Sequence, residues 1–117
     1  MAADPSCVCE SSSNEPLSDT DIERRVDQIK ALAHPVRLKM VDVIYDRGGE
    51  ICVCEFMEVF DLSQPTISHH LKVLRDAGLI TSRREGTFVH HRVVPAAFDR
   101  LAVLMDRFST IRERIPA

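Results

Sequence analysis

From Ile22 onward, apolar side chains recur at helical spacing over most of the chain. Ile22, Val26, Ile29 and Leu32 share one face of a first helix. Ser18 to Asp21 has the S-x-x-D form of a capping box, and Leu17 can staple onto Ile22 across the helix start. His34-Pro35 interrupts the pattern, because the residue before proline disfavours helix. Pro35 suits the first turn of a second helix, whose apolar side is Val36, Met40, Val43 and Ile44 and whose end is Gly48-Gly49. A short third helix is predicted over residues 51–60, with Ile51, Phe56, Val59 and Phe60 inward. Ser63 is a good N-cap for a fourth helix with Pro65 in its first turn, and Ala77-Gly78 ends it. Its Ile67, Leu71 and Leu74 recur at i, i+4 and i+7 and should face the core. Leu79 to Arg84 and Thr87 to Val94, separated by Glu85-Gly86, read as a two-stranded hairpin. Pro95 opens a final helix to about Arg114, with Phe98, Leu101, Met105 and Phe108 in heptad-like spacing and Leu104, Ile111 and Ile115 alongside. These are the parts of a winged helix-turn-helix: mainly α, with a small β-hairpin. Residues 1–17 are polar and acidic and read as a mobile arm, which leaves 18–115 as one domain.

Charge refines the picture. The chain is net −3, which alone argues against nucleic acid. Its distribution says otherwise. Asp4, Glu10, Glu15 and Asp19 stand without a base in residues 1–20, and Asp42, Asp46, Glu50, Glu55, Glu58 and Asp61 face only Arg47 in residues 40–62. Residues 63–94 instead carry Lys72, Arg75, Arg83, Arg84 and Arg92 against Asp76 and Glu85, with His69, His70, His90 and His91 among them. A local basic surface on an acidic chain suits phosphate contact. No apolar run approaches a membrane span, and Met1 to Ser13 lacks the basic and apolar regions of a secretory signal. The expectation is a cytoplasmic protein without a membrane partner.

With Ile67, Leu71 and Leu74 inward, the opposite side of the fourth helix presents Gln64, Thr66, Ser68, His69, Lys72 and Arg75. Such side chains can enter a major groove and reach base edges. Ser63 and the helix N-terminus can hold a phosphate. The hairpin tip, Arg83-Arg84-Glu85-Gly86-Thr87, is a candidate wing whose arginines lie along the backbone or in the minor groove. Adjacent histidines on a helix point about 100° apart and chelate one ion poorly. His69 is therefore read as a DNA contact and His70 as a packing residue. His90 and His91 lie in a strand and point to opposite faces. No Gly-rich phosphate loop and no nucleophile with a recognisable base is present, so an enzyme is not expected.

The four cysteines form two C-x-C pairs, Cys7-Val8-Cys9 and Cys52-Val53-Cys54. In a reducing compartment such pairs favour metal or redox chemistry over structural disulfides. Cys52 and Cys54 fall at or just before the third helix, where the helix N-terminus depresses a thiol pKa while Glu50, Glu55 and Glu58 push it the other way and attract cations. An i, i+2 pair converges only if that first turn is irregular. From Cys9 to Ser18 the chain can stretch about 30 Å, at roughly 3.3–3.6 Å per residue. Cys7 or Cys9 could therefore reach Cys54 in its own chain or in a partner. Thiolate-only sites select soft ions: trivalent arsenic or antimony, or cadmium, lead or zinc. A thiol–disulfide switch is the competing chemistry.

Two stretches carry a family resemblance. Leu62-Ser63-Gln64-Pro65-Thr66-Ile67-Ser68-His69-His70-Leu71 and the residues on to Ile80, with Leu32-Ala33-His34-Pro35-Val36-Arg37-Leu38 upstream, resemble the ArsR/SmtB family of metal-responsive winged-helix repressors. Glu50-Ile51-Cys52-Val53-Cys54-Glu55 resembles that family's E-L-C-V-C-[DE] metal box. The resemblance implies a homodimeric repressor, released from operator DNA when arsenic or antimony binds Cys52 and Cys54, completed by Cys7 or Cys9. Arsenic-sensing relatives often carry a third cysteine where this chain has Met57, whereas cadmium- and lead-sensing relatives add cysteines from an N-terminal arm. The zinc-sensing relatives use Asp and His on the last helix, where this chain has Pro95-Ala96-Ala97, Phe108 and Ile111.

Overall fold

The computed structural model describes residues 17–113. Helix α1, Asp19–Leu32, starts where Ser18 Oγ accepts the Asp21 N–H at 3.1 Å. It turns Arg25, Gln28 and Ala31 inward and leaves Ile22, Val26 and Ile29 exposed. Helix α2, Pro35–Asp46, is capped by His34, whose Nδ1 accepts the Val36 N–H at 3.1 Å. Gly48 and Gly49, at φ 91° and 100°, then reverse the chain in a conformation that other residues resist.

The third helix is shorter than the spacing predicts, and a strand precedes it. Glu50–Cys52 is that strand, β1, and only Val53–Val59 is helical, as α3. Ile51 is buried as expected, but in a strand. The hairpin is β2, Ile80–Glu85, and β3, Phe88–Val93. β1 pairs antiparallel with β3, so the expected two-stranded hairpin is a three-stranded sheet in the order β1-β3-β2. Glu50, Ile51 and Cys52 lie opposite Arg92, His91 and His90.

Helix α4, Gln64–Asp76, begins at the Ser63 N-cap with Pro65 in its first turn. Ile67, Leu71 and Leu74 all face inward. Helix α5, Pro95–Ser109, buries Ala97, Leu101 and Leu104. Its α-helical part ends at Ser109, and a 3₁₀ helix, Thr110–Glu113, continues it to the last described residue. The Ser109 and Thr110 hydroxyls donate to the Asp106 and Arg107 carbonyls at 2.8 and 2.7 Å, competing for backbone acceptors at that end. Ile115 and the expected N-terminal arm, Leu17 apart, lie outside the described residues.

The core is Met40, Ile44, Ile51, Phe56, Ile67, Leu71, Leu74, Leu79 and Ile80, drawn from α2, β1, α3, α4 and the hairpin. Each such side chain contributes about 1.5–3 kcal/mol on leaving water. This packing fixes the inner face of α4 and so aims its outer face. Exposed apolar side chains among the described residues include Ile22, Val26 and Ile29 on one face of α1, and Met105 and Phe108 on one face of α5.

Candidate nucleic-acid interface and thiol pair

The outward face of α4 carries the side chains expected there. Gln64, Ser68, His69, Lys72 and Arg75 are exposed, and Thr66 is half-buried. Ser63 Oγ accepts the Thr66 N–H at 3.3 Å and lies 2.9 Å from Thr66 Oγ1, so the two hydroxyls are fixed together at the helix start. Lys72 donates to Asp76 at 2.7 Å, and that bond holds the Asp76 carboxyl below its ordinary range. Arg75 Nη1 donates to Ser82 Oγ at 3.2 Å, across to β2.

Arg83, Arg84 and Thr87 are exposed on the hairpin. Gly86 supplies the turn with φ 64°. Arg83 already has a partner. Its Nη1 and Nη2 donate to the two carboxylate oxygens of Glu50, each at 3.1 Å. This fork-to-fork bond keeps the Glu50 carboxyl below its ordinary range.

The histidines divide as their positions imply. His69 is exposed and His70 is 8% exposed. His70 Nδ1 lies 3.2 Å from Arg37 Nη1, and its ring centroid is 4.6 Å from that of His34. Burial lowers its pKa, followed by the neighbouring His34 and Arg37 charges. A neutral His70 ring accepting from Arg37 is a packing residue. His91 is 4% exposed, whereas His90 is half-buried on the opposite side of β3.

The thiol pair straddles the end of β1 and the start of α3. Cys52 is the helix N-cap in extended conformation, φ −80° and ψ 145°, and Cys54 lies in the first turn. Because Cys52 does not follow helical geometry, the i, i+2 obstacle vanishes. Cys54 Sγ donates to Cys52 Sγ at 2.8 Å. Glu55 Oε1 accepts the Cys52 N–H at 3.2 Å, and Glu55 is also paired with Arg47. Cys52 is buried and Cys54 exposed, so the pair opens to water on one side.

Of the opposing influences on the thiols, the raising ones win at Cys54: its pKa is pushed up chiefly by its hydrogen bond to Cys52, with desolvation and the Cys52 and Glu55 charges acting in the same direction. Two adjacent thiols resist double ionisation until a cation sits between them.

The donor chemistry of Cys52 and Cys54, two thiols side by side, would suit a soft ion. It supplies two donors. Among the described residues no group of three or more His, Cys, Asp or Glu is arranged to hold a metal ion. Cys7 and Cys9, expected to complete the site, lie outside the described residues. The sequence reading missed Glu50 as the partner of Arg83, Ser82 as the partner of Arg75 and His91 as the partner of Ser82. The even spacing of Glu50 and Cys52 along an extended segment was the available signal, once that segment is seen as a strand.

Comparison with known proteins agrees with this geometry. Residues 34–82 match the family described as bacterial regulatory protein, arsR family. The chain is 46% identical over 66 residues to the arsenic resistance transcriptional regulator of Pseudomonas putida, covering 56% of this chain and 51% of that protein. It is 34% identical over 86 residues to the arsenical resistance operon repressor of Staphylococcus aureus, covering 74% of this chain and 81% of that protein. The match to the first spans about half that relative's length. A solved structure, that of a possible transcriptional regulator for arsenical resistance, superposes with a TM-score of 0.63 at 31% identity, covering 78% of this chain and 98% of the other. The chain belongs to the arsR family of bacterial regulatory proteins, which are DNA-binding regulators of transcription and not enzymes.

Proposed function

We propose that this chain is a cytoplasmic homodimeric repressor that leaves its operator when trivalent arsenic or antimony binds the Cys52 and Cys54 thiolates. The reading rests on one observation: the two sulfurs meet at 2.8 Å at the junction of β1 and α3, beside Ile51 and Phe56 of the core that also holds the inner face of α4. The exposed faces of α1 and α5 form the dimer seam. Ser63, Gln64, Thr66, Ser68, His69, Lys72 and Arg75 of each protomer meet successive major grooves about 34 Å apart. Arg83, Arg84 and Thr87 follow the backbone beside them. Cys7 or Cys9, from the same or the partner chain, supplies the further sulfur that the described pair lacks. Ligand weakens DNA binding only by the difference between its affinities for the two dimer shapes. Names of relatives support the inducer class, since two of them are regulators of arsenic or arsenical resistance.

Cadmium or lead is the second reading. It is favoured by the pairing of an N-terminal C-x-C with Met57 at the position three after Cys54. Operator release by arsenite and by cadmium, measured in wild type, Cys7→Ser, Cys9→Ser, Cys52→Ser and Cys54→Ser, separates the two. The first reading requires release by arsenite, lost in Cys52→Ser and Cys54→Ser. Release by cadmium but not arsenite moves the assignment to the second. Release by peroxide with no response to either ion replaces both with a redox switch. X-ray absorption of the arsenite-bound protein then counts its sulfur neighbours.

A further inference from the structure

Arg75 is the one α4 side chain of the reading face whose described hydrogen bond leads into the sheet rather than back along its own helix. Its Nη1 donates to Ser82 Oγ at 3.2 Å, and Ser82 Oγ lies 3.1 Å from His91 Nδ1. The Ser82 hydroxyl, with two lone pairs and one proton, bridges Arg75 to His91 Nδ1 in either imidazole tautomer. The series runs Arg75, Ser82, His91.

His91 in turn touches both elements that carry the thiols. It lies opposite Ile51 in the β1–β3 ladder, one residue from Cys52. Its ring centroid is 6.2 Å from that of Phe56, two residues after Cys54 on α3. Both Phe56 and Ile51 are essentially water-free, at 0% and 1% exposure, so the imidazole is packed in the same close-packed interior as these two side chains. Burial, followed by the nearby Arg75 charge, holds the His91 pKa down to about 4. The ring is thus neutral at ordinary pH, with its Nδ1 toward Ser82.

We propose that Ser82 and His91 are positioning residues that tie the aim of Arg75 to the strand and helix bearing Cys52 and Cys54. A shift of β1 or α3 reaches the imidazole, passes to the hydroxyl, and turns the guanidinium on the groove-facing surface. The proposal deepens the sensor reading and rests on it for the identity of the ligand, but its mechanical half stands without ligand.

The test compares full-length wild type, Ser82→Ala, Ser82→Thr and Cys52→Ser by operator titration, and follows the His91 ring nitrogens by NMR. Loss of one hydrogen bond to a charged group predicts that Ser82→Ala weakens ligand-free operator binding by about tenfold or more. Ser82→Thr, which keeps the hydroxyl on a β-branched strand residue, should stay within about twofold of wild type. Arsenite should move the His91 nitrogen signals in wild type and leave them in place in Cys52→Ser. Equal operator affinity of Ser82→Ala and Ser82→Thr would overturn the relay. So would His91 signals that stay still while X-ray absorption shows the sulfurs occupied. If arsenite neither binds nor releases the wild-type complex, the sensor reading falls separately. The relay is then decided by the Ser82→Ala to Ser82→Thr ratio and by whether Cys52→Ser itself moves the His91 signals.

Discussion

Glu50→Gln should tighten operator binding, and the structure sets how much. In the free protein both guanidinium Nη atoms of Arg83 are committed to the Glu50 carboxylate at 3.1 Å. An arginine that is to meet a DNA phosphate must first leave or share that partner. The pair is half in water, with side-chain exposures of 50% for Arg83 and 35% for Glu50. Such a pair is screened and held only weakly, so releasing it is worth a factor of about two to five in affinity. Glutamine keeps the shape and one acceptor oxygen but removes the charge. Anisotropy titrations of labelled operator at low salt should show that gain, and it should shrink as ionic strength rises. Arg83→Ala should do the opposite: weaker binding, with the salt slope reduced by about one phosphate contact. If Glu50→Gln instead weakens binding as Arg83→Ala does, the carboxylate aims the arginine and does not restrain it.

Two further outcomes rest on burial. His91 has its pKa lowered from 6.5 to about 4, so the unfolded chain binds a proton that the folded one refuses. Stability should be intact above pH 6.5, fall as pH drops from 6.5 to 4, and level off below, with a ceiling of about 3 kcal/mol reduced by residual hydration of the ring. Urea unfolding across that range checks it, and a His91→Asn chain with the same slope would refute it. Val26→Glu places a charge on the outward face of α1, where Val26 is 40% exposed. Light scattering should show the dimer dissociating at concentrations where wild type remains paired, because an unpaired charge in an apolar seam is costly. The fold itself should lose no more than about 0.5 kcal/mol; an unchanged dimer would exclude α1 from the seam.

Most of the fold was legible because its signals are local. The Ser63 cap, Pro65 and the Ile67, Leu71, Leu74 spacing sit within a dozen residues and locate α4 directly. Glu85-Gly86 marks the hairpin turn in the same way. β1 was not legible, since three residues cannot display a period of two and their partner strand is some forty positions away. The convergence of Cys52 and Cys54 went with it, because it depends on Cys52 being extended. On α1, hydrophobicity pointed to Ile22, Val26 and Ile29, yet the monomer buries Arg25, Gln28 and Ala31. The apolar stripe there is shaped for something other than the chain's own core. The Arg75, Ser82, His91 series was invisible for a related reason: it joins three elements through side chains that each look like ordinary surface polar residues.

β1 contributes three residues to the rim of the sheet and pairs on one side only. An engineer refitting that rim must leave Ile51, its peg in the core, and Glu50, the partner of Arg83, in place, because exchanging either one also disturbs the hairpin beside it.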